Sequence, residues 1–127
     1  MTTTSPHQSS RHKTQLGVYG EACAARYLTR DQGMVVLDRN WRCAQGEIDL
    51  VLRDGRVLVV CEVKTRSSER FGSTLEAVTE AKAARLRVLA LRYCEEHDLR
   101  PSDLRIDLVG ILLRGSTIAR IDHARGI

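Results

Sequence analysis

A β-strand is predicted from the run Val57-Leu58-Val59-Val60-Cys61-Glu62-Val63-Lys64. Because this run is apolar on both faces almost to its end, the strand is expected to be central and covered on both sides. Side chains alternate along a strand, so Glu62 and Lys64 should lie on the face of Leu58 and Val60. An acid and a base are therefore expected together at the rim of the core, although such a pair is also typical of a solvated cross-strand contact.

The preceding strand supplies a second acid. Residues 46–53 predict a strand, and Asp54-Gly55 is a common signal for a short hairpin, so this strand should pair antiparallel with the central one. Alternation predicts Ile48, Leu50 and Leu52 on one face and Glu47, Asp49 and Val51 on the other. The pairing would bring Asp49 near Glu62. Two adjacent carboxylates repel unless a cation lies between them, and Mg²⁺ or Mn²⁺ suits oxygen ligands.

A third acid is expected on the first helix. Apolar and small residues recur at helical spacing over residues 14–32, and Gly33 supplies a C-terminal stop. Glu21 lies on this apolar stripe, where a carboxylate is costly to bury without a partner. A metal ion, or Lys64, would provide that partner.

The remaining elements complete one small α/β domain. Residues 34–41 predict a strand, Thr79 is expected to cap a helix that reaches about His97, and residues 104–113 and 117–122 predict two final strands. The expected order is α-β-β-β-α-β-β, with a central mixed sheet flanked by helices and a loop over residues 66–78. A single domain over residues 14–127 follows a tail, residues 1–13, whose Ser- and Thr-rich composition predicts disorder.

Composition limits the classes of partner. The chain has 127 residues, and its 20 basic and 16 acidic side chains give a formal charge of +4. This modest excess permits a nucleic-acid partner without requiring one. Aromatic residues make up only 4% of the chain, which argues against a protein that binds single strands by stacking bases on exposed rings. Contacts with phosphates would have to provide most of the affinity.

Cysteine spacing and hydropathy indicate a location in a reducing compartment. Cys23, Cys43, Cys61 and Cys94 are too far apart for a Cys-x-x-Cys zinc knuckle, so they are interpreted as free, buried thiols. No apolar run approaches the roughly 20 residues needed to cross a bilayer, and the N-terminus has no apolar signal core. A cytoplasmic protein without membrane association is expected.

The chain contains several short motifs that occur, in the same order, in a known family. They are Gly46-Glu47-Ile48-Asp49-Leu50, Glu62-Val63-Lys64-Thr65-Arg66, Arg70-Phe71-Gly72 with Glu76-Ala77-Val78, then Lys82, and finally Arg105-Ile106-Asp107. In these positions the chain resembles the YraN-like bacterial proteins, a group of predicted nucleases. The resemblance covers roughly residues 17–122, and only the C-terminus, residues 121–127, fits the family loosely.

The resemblance implies a fold and a set of site residues. The family is similar to the restriction-endonuclease-like superfamily, near the archaeal Holliday-junction resolvases, in which an acid followed by Glu-x-Lys forms the site. It implies Asp49 and Glu62 as metal ligands, the main-chain carbonyl of Val63 as a further ligand and Lys64 as the catalytic lysine. Glu21 matches the acidic position on the first helix. The implied chemistry is hydrolysis of phosphodiester bonds with Mg²⁺ or Mn²⁺.

Lys64, Glu47 and several basic residues each have two alternative roles. Lys64 would either orient the attacking water or neutralise developing charge, and the number of metal ions is undetermined. Glu47 belongs to the same motif, where a structural ion pair is an equal alternative. Four basic residues are candidates for a phosphate-facing surface, with a solvated flank as the alternative: Arg66, Lys82, Arg85 and Arg92. Arg105 and Asp107 are expected to be structural, and His123 is interpreted as a core or surface histidine without a catalytic role.

Three functions are therefore compared. The first is a metal-dependent endonuclease that acts on DNA, including branched or recombining structures. The second is a nucleic-acid-binding or scaffold module of the same fold without turnover, and the third is a nuclease that acts on RNA, since phosphate chemistry at a metal does not itself read the sugar. A homodimer is expected if two strands are cut, because two sites are then needed.

Overall fold

The residues that the structure describes form two helices and five strands. The computed structural model describes residues 13–70, 72–75 and 79–127. Its elements are α1 (Gln15–Arg30), β1 (Val35–Cys43), β2 (Gly46–Asp54), β3 (Val57–Arg66), α2 (Glu80–His97), β4 (Asp103–Arg114) and β5 (Thr117–Arg125). The predicted order α-β-β-β-α-β-β is confirmed. Residues 1–12 of the predicted tail, together with Phe71 and residues 76–78 of the family motifs, lie outside the described residues.

Both helices begin at a threonine cap, and Thr79 is the cap that was predicted for the second helix. The Thr14 hydroxyl accepts a hydrogen bond from the Gly17 N–H at 3.0 Å, and the Thr79 hydroxyl accepts one from the Lys82 N–H at 3.1 Å. Each cap satisfies a main-chain donor that the first helical turn leaves without a partner. The second helix ends at Asp98, which takes the left-handed conformation. The caps therefore fix where each helix starts on the sheet.

The sheet is mixed, as predicted. Its strands follow the order β1-β2-β3-β4-β5, and neighbouring strands are antiparallel except for β3 and β4, which are parallel. The parallel pair requires a crossover, which α2 and the segment before it provide. Gly55, at φ 63°, closes the tight hairpin between β2 and β3. β3 therefore lies at the centre, with two strands on each side.

The two helices cover opposite faces of the sheet. One core contains residues from α1 and the sheet: Cys23, Ala24, Ala25, Leu28, Met34, Leu50, Leu52, Val59, Cys61, Val109, Ile111 and Leu113. The other contains residues from α2 and the sheet: Trp41, Ile48, Val51, Leu58, Val60, Leu86, Leu89, Ala90, Tyr93, Cys94 and Ile106. β3 contributes alternate residues to both cores, which agrees with its prediction as a central strand.

Trp41 connects β1 to α2. Its ring meets the ring of Tyr93 edge to face, with centroids 5.3 Å apart, and its indole N–H donates to Glu96 at 3.0 Å. The indole thus has an apolar partner for its ring and a polar partner for its N–H. These contacts fasten the second half of α2 to the first strand.

The prediction that Ile48 shares a face with Leu50 and Leu52 is wrong. Ile48 packs in the core beneath α2, whereas Leu50 and Leu52 pack in the core beneath α1. The strict alternation of side chains along β2 breaks at Asp49, where the pairing of β2 with β3 has already ended. On the other side of β2, the β1 residue opposite Asp49 is Asn40, which has a left-handed φ of 51°. Asp49 therefore lies at an irregularity, and its carboxylate is free to turn toward β3.

The close approach of α1 to β3 depends on Gly20. A Cβ at this position would lie 1.9 Å from the Thr65 Oγ1 atom and 2.8 Å from the Thr65 Cβ atom, so a side chain there requires a backbone shift. We expect Gly20→Ala to lower the free energy of unfolding by about 1–3 kcal/mol, although Ala is the better helix former by roughly 1 kcal/mol. Urea denaturation measures the change.

The matched control is Gly17→Ala in the same helix, where the nearest atom to a new Cβ is 3.4 Å away. This variant should be as stable as the wild type or slightly more stable, since no neighbour has to move. Equal stability of the two variants would show that the contact of α1 with Thr65 is not tight.

Candidate active site

Asp49 joins β2 to β3 beyond the point where their main chains stop pairing. The last pair in this direction is Leu50 with Cys61, and the next contact is a hydrogen bond from the Val63 N–H to the Asp49 Oδ2 atom at 2.8 Å. The carboxylate thus replaces a main-chain acceptor for Val63. Asp49 is 6% exposed, so this bond fixes the orientation of a buried acid.

The other oxygen of Asp49 binds a lysine that also binds Glu21. Lys13 Nζ lies 3.0 Å from Asp49 Oδ1 and 2.6 Å from Glu21 Oε2. α1 presents Glu21 directly after Gly20, so the tight approach of this helix to β3 brings the two acids together. The third acid predicted on the first helix is therefore next to Asp49, with an ammonium group between them.

Lys13 was not predicted as a site residue, because it follows the Ser- and Thr-rich tail directly and was assigned to it. Its composition resembles that tail, and nothing in its spacing points to Asp49. The available signal was its position directly before the helix cap Thr14, which holds the main chain of Lys13 close to the start of α1.

One ammonium group does not balance two buried carboxylates. Burial raises the pKa of Glu21, the hydrogen bond from Lys13 opposes this, and the charge of Asp49 adds to it, so the pKa is raised overall. Burial alone would lower the pKa of Lys13, but Asp49 and Glu21 outweigh it and raise that pKa. Lys13 is thus held in its charged form between the two acids.

Glu62 lies on the α2 side of β3 and pairs with a lysine of that helix. Lys82 Nζ is 2.7 Å from Glu62 Oε2. Burial raises the pKa of Glu62 and the charge of Asp49 raises it further, while Lys82 and Lys64 oppose the shift. Asp49 thus acts electrostatically on both Glu21 and Glu62, so the three acids form one charged cluster.

Asp49, Glu62 and Lys64 open into one cavity of about 360 Å³. Its complete lining is Lys13, Gly46, Glu47, Asp49, Glu62, Val63, Lys64, Lys82, Arg85, Leu86 and Leu89. Glu21 is not among these residues and reaches the cavity only through Lys13. Lys64 lines this cavity, and its ammonium forms no hydrogen bond or ion pair with another residue of the described ranges.

Comparison with known proteins identifies the family. A family profile described as "Uncharacterised protein family UPF0102" matches residues 20–111, which is more than half of the chain. The chain belongs to this family. The UPF0102 match includes Glu21, Asp49, Glu62 and Lys64, so the whole acid cluster lies inside the family region.

Relatives in the UPF0102 family share nearly the whole length of the chain. A UPF0102 protein of Nocardioides sp. is 62% identical over 91% of this chain and 92% of its own length. The UPF0102 protein of Beutenbergia cavernae is 51% identical over 92% of this chain and 98% of its own length. That of Streptomyces coelicolor is 55% identical over 88% of this chain and 87% of its own length. The YraN-like resemblance is therefore confirmed as membership of UPF0102.

The predicted phosphate-facing residues of this UPF0102 chain divide into two groups. Lys82 and Arg85 line the cavity of the acid cluster, but Lys82 already pairs with Glu62. Arg66 lies on the same face of β3 as Lys64, and its buried Nε atom has no hydrogen-bond partner in the part of the chain described. Arg92 lines a separate cavity beside Trp41. Arg85 and Arg66 are thus the better placed of the four for phosphate.

The donor atoms around Asp49 fit a small divalent cation. No group of three or more His, Cys, Asp and Glu side chains is arranged to hold a metal ion within residues 13–70, 72–75 and 79–127. Mg²⁺, however, is usually held by one or two carboxylates together with water and phosphate oxygens. The Val63 N–H points at Asp49, and the carbonyl of a strand residue points to the same side as its N–H. Asp49, a second acid and the Val63 carbonyl would therefore be enough protein ligands for one Mg²⁺ ion.

Asp107, which is itself fully buried, forms a separate network with residues of the last two strands and the C-terminus. Arg105 binds it through two nitrogens at 2.9 and 3.1 Å, His123 Nε2 lies 2.9 Å away, and the Gly126 N–H donates at 3.1 Å. The second ring nitrogen of His123 is 3.0 Å from the Tyr27 hydroxyl. This arrangement ties β4, β5 and α1 together, which is the structural role expected for Arg105 and Asp107, and His123 takes part in it as a largely buried side chain.

The cysteines are free, as predicted, but one of the four is not fully buried. All four cysteines are free; Cys23, Cys61 and Cys94 are buried and Cys43 is half-buried. Within the part of the chain that the structure describes, no helix is long and apolar enough to cross a membrane.

Proposed function

We propose that this UPF0102 protein is a metal-dependent endonuclease of the restriction-endonuclease-like type that hydrolyses phosphodiester bonds of DNA. One observation carries the proposal: the Asp49 carboxylate is fixed by the Val63 N–H at 2.8 Å in the cavity that Glu62 and Lys64 also line. An acid opposite a Glu-x-Lys strand end is the arrangement that the resemblance to junction resolvases implies. A mixed five-stranded sheet between two helices is compatible with that fold.

The residues have distinct tasks in this proposal. Asp49, Glu62 and the Val63 carbonyl would hold the metal ion, with Glu21 as an additional acid. When bound, such an ion polarises a phosphoryl oxygen and lowers the pKa of a coordinated water. Lys64, whose ammonium has no partner in the described ranges, is available to orient water or to neutralise developing charge.

Basic residues around the cavity support a nucleic-acid substrate. Arg85 lines the wall, and Arg66 follows Lys64 on the same face of β3. Guanidinium groups bind phosphate through several N–H donors at once, so Arg85 in the cavity wall and Arg66 farther along β3 suit a polyanionic backbone. We propose DNA, including branched forms, as the substrate. Action as a homodimer and a cytoplasmic location remain predictions.

The direct test uses purified protein with four-way junction, flap and linear duplex DNA, each with Mg²⁺, with Mn²⁺ and with chelator. We expect cleavage of at least one substrate only when a divalent ion is present. Asp49→Asn should reduce that cleavage by about 100-fold or more, because a ligand is lost, while binding of DNA in chelator persists. Absence of cleavage of every substrate would overturn the proposal, and matched RNA substrates would reveal a preference for RNA.

A second candidate is a nucleic-acid-binding module without turnover. The observation that favours it is that lysines already pair with the acids, Lys13 with Glu21 and Asp49, and Lys82 with Glu62. Such a protein would bind DNA with an affinity that falls steeply with salt, yet would release no product with any metal. Calorimetry without detectable binding of Mn²⁺ would support this alternative.

A further inference from the structure

Lys13 occupies a specific position in the acid cluster. Asp49 has two carboxylate oxygens: Oδ2 accepts the Val63 N–H at 2.8 Å, and Oδ1 lies 3.0 Å from Lys13 Nζ. The same ammonium is 2.6 Å from Glu21, and the three side chains are 22%, 12% and 7% exposed for Lys13, Glu21 and Asp49. Lys13 is therefore a half-buried cation between two acids, not a solvated surface lysine.

A divalent ion that binds Asp49 would meet this ammonium. Oδ2 already accepts the Val63 N–H of β3, so Oδ1 is the oxygen without a main-chain donor, and Lys13 holds it. Two cations on one carboxylate oxygen repel each other strongly where the site is partly shielded from water. Release of Lys13 from Oδ1 would therefore accompany binding of the ion.

We propose that Lys13 is the resident counter-ion of the Asp49–Glu21 pair and sets the metal affinity of the site by competing for Asp49 Oδ1. This inference rests on the metal site of the proposed function. In the absence of metal, Lys13 holds two repelling carboxylates in place. In the presence of metal, its displacement weakens apparent binding, so the site fills only at higher concentrations of the divalent ion.

The other basic residues of the cavity provide controls. Lys82 pairs with Glu62 and has no contact with Asp49 or Glu21 in the described residues. Arg85 lines the same cavity and forms no ion pair in the ranges that the structure covers. Removal of Arg85 therefore subtracts the same charge from the same cavity without freeing a carboxylate, which separates competition at Oδ1 from a general change in potential.

Mn²⁺ titration by calorimetry tests the inference without any nucleic acid. Five proteins are compared in full length: wild type, Lys13→Gln, Lys13→Arg, Arg85→Gln and Asp49→Asn. We expect Lys13→Gln to bind Mn²⁺ about 10-fold more tightly than wild type, since its competing charge is gone. Lys13→Arg keeps the charge and should stay close to wild type, and Arg85→Gln should gain about 3-fold at most.

The outcomes separate this inference from the proposed function. Equal affinities of Lys13→Gln and Arg85→Gln would overturn the role of Lys13 while leaving the metal site intact. If none of the proteins binds Mn²⁺, both the role of Lys13 and the proposed metal site are overturned. The same conclusion follows if Asp49→Asn binds Mn²⁺ as tightly as wild type. If Lys13→Gln folds poorly without metal, the rise in Tm on addition of Mn²⁺ is measured for this variant and for wild type. A larger rise for Lys13→Gln supports competition between Lys13 and the ion, and an equal or smaller rise overturns it.

Discussion

Glu62→Gln and Lys64→Met should each reduce metal-dependent DNA cleavage by about 100-fold to 1000-fold. Glu62→Gln removes the charge from an acid that lines the cavity and interacts with Asp49, so the site would lose a ligand. Lys64→Met removes the ammonium of a residue that lines the cavity while keeping the length and apolar stem of the side chain. Single-turnover cleavage rates at saturating Mg²⁺ measure both effects separately from substrate binding.

The control for these variants is Arg56→Gln, in the hairpin between β2 and β3. Arg56 and Lys64 are eight positions apart in sequence, which is roughly 26 Å along an extended chain. The control therefore changes the net charge as Lys64→Met does, but far from the acid cluster. Cleavage by either site variant within about 10-fold of wild type would contradict the assigned roles, provided that circular dichroism shows all proteins folded.

Asp107→Ala is expected to lower the free energy of unfolding by about 3–5 kcal/mol. Asp107 is fully buried, and its removal would leave Arg105 and His123 without the carboxylate that they share. Urea denaturation at pH 7 measures the loss. Asp122→Asn is the matched control, because Asp122 also binds an arginine but is partly exposed, and it should cost about 1 kcal/mol or less.

The stabilisation by Asp107 should depend on pH in a defined direction. Burial would raise its pKa, but hydrogen bonds from Arg105, His123 and the Gly126 N–H outweigh burial and lower it. A carboxylate with a lowered folded pKa stabilises the protein above its unfolded pKa, about 4, and loses that effect as pH falls through the folded value. The difference in stability between wild type and Asp107→Ala should therefore shrink below about pH 4. A constant difference from pH 7 to pH 3 would contradict this.

Local patterns predicted much of the fold and part of the site. The Asp54-Gly55 turn fixed the pairing of β2 with β3, and the apolar run before Glu62 identified the central strand. These signals were sufficient to bring Asp49, Glu62 and Lys64 to one cavity. They are local because a hairpin is set by its turn and a buried strand by its own composition.

Other features depended on contacts between distant segments. Ile48 was assigned to the wrong face because the break in β2 depends on Asn40 of the neighbouring strand. Lys13 was missed because the partners that order it, Glu21 and Asp49, are distant or lie on other elements.

The end of the last strand was also missed. β5 continues to Arg125. The predicted strand ended at residue 122, since the residues that follow include the polar His123 and Arg125. Both are stabilised by acids elsewhere in the fold, His123 by Asp107 and Arg125 by Asp54. Periodicity in a single segment contains no information about such partners.

The edge-to-face contact between Trp41 and Tyr93 gives the protein an intrinsic optical probe. Trp41 is the sole tryptophan in the sequence, and its indole lies against the helix that carries Lys82 and Arg85. Because the emission of an indole responds to the polarity of its surroundings, any separation of this helix from the sheet would alter the fluorescence of the unlabelled chain. Ligand titrations and rapid-mixing experiments can therefore be followed without attaching a dye.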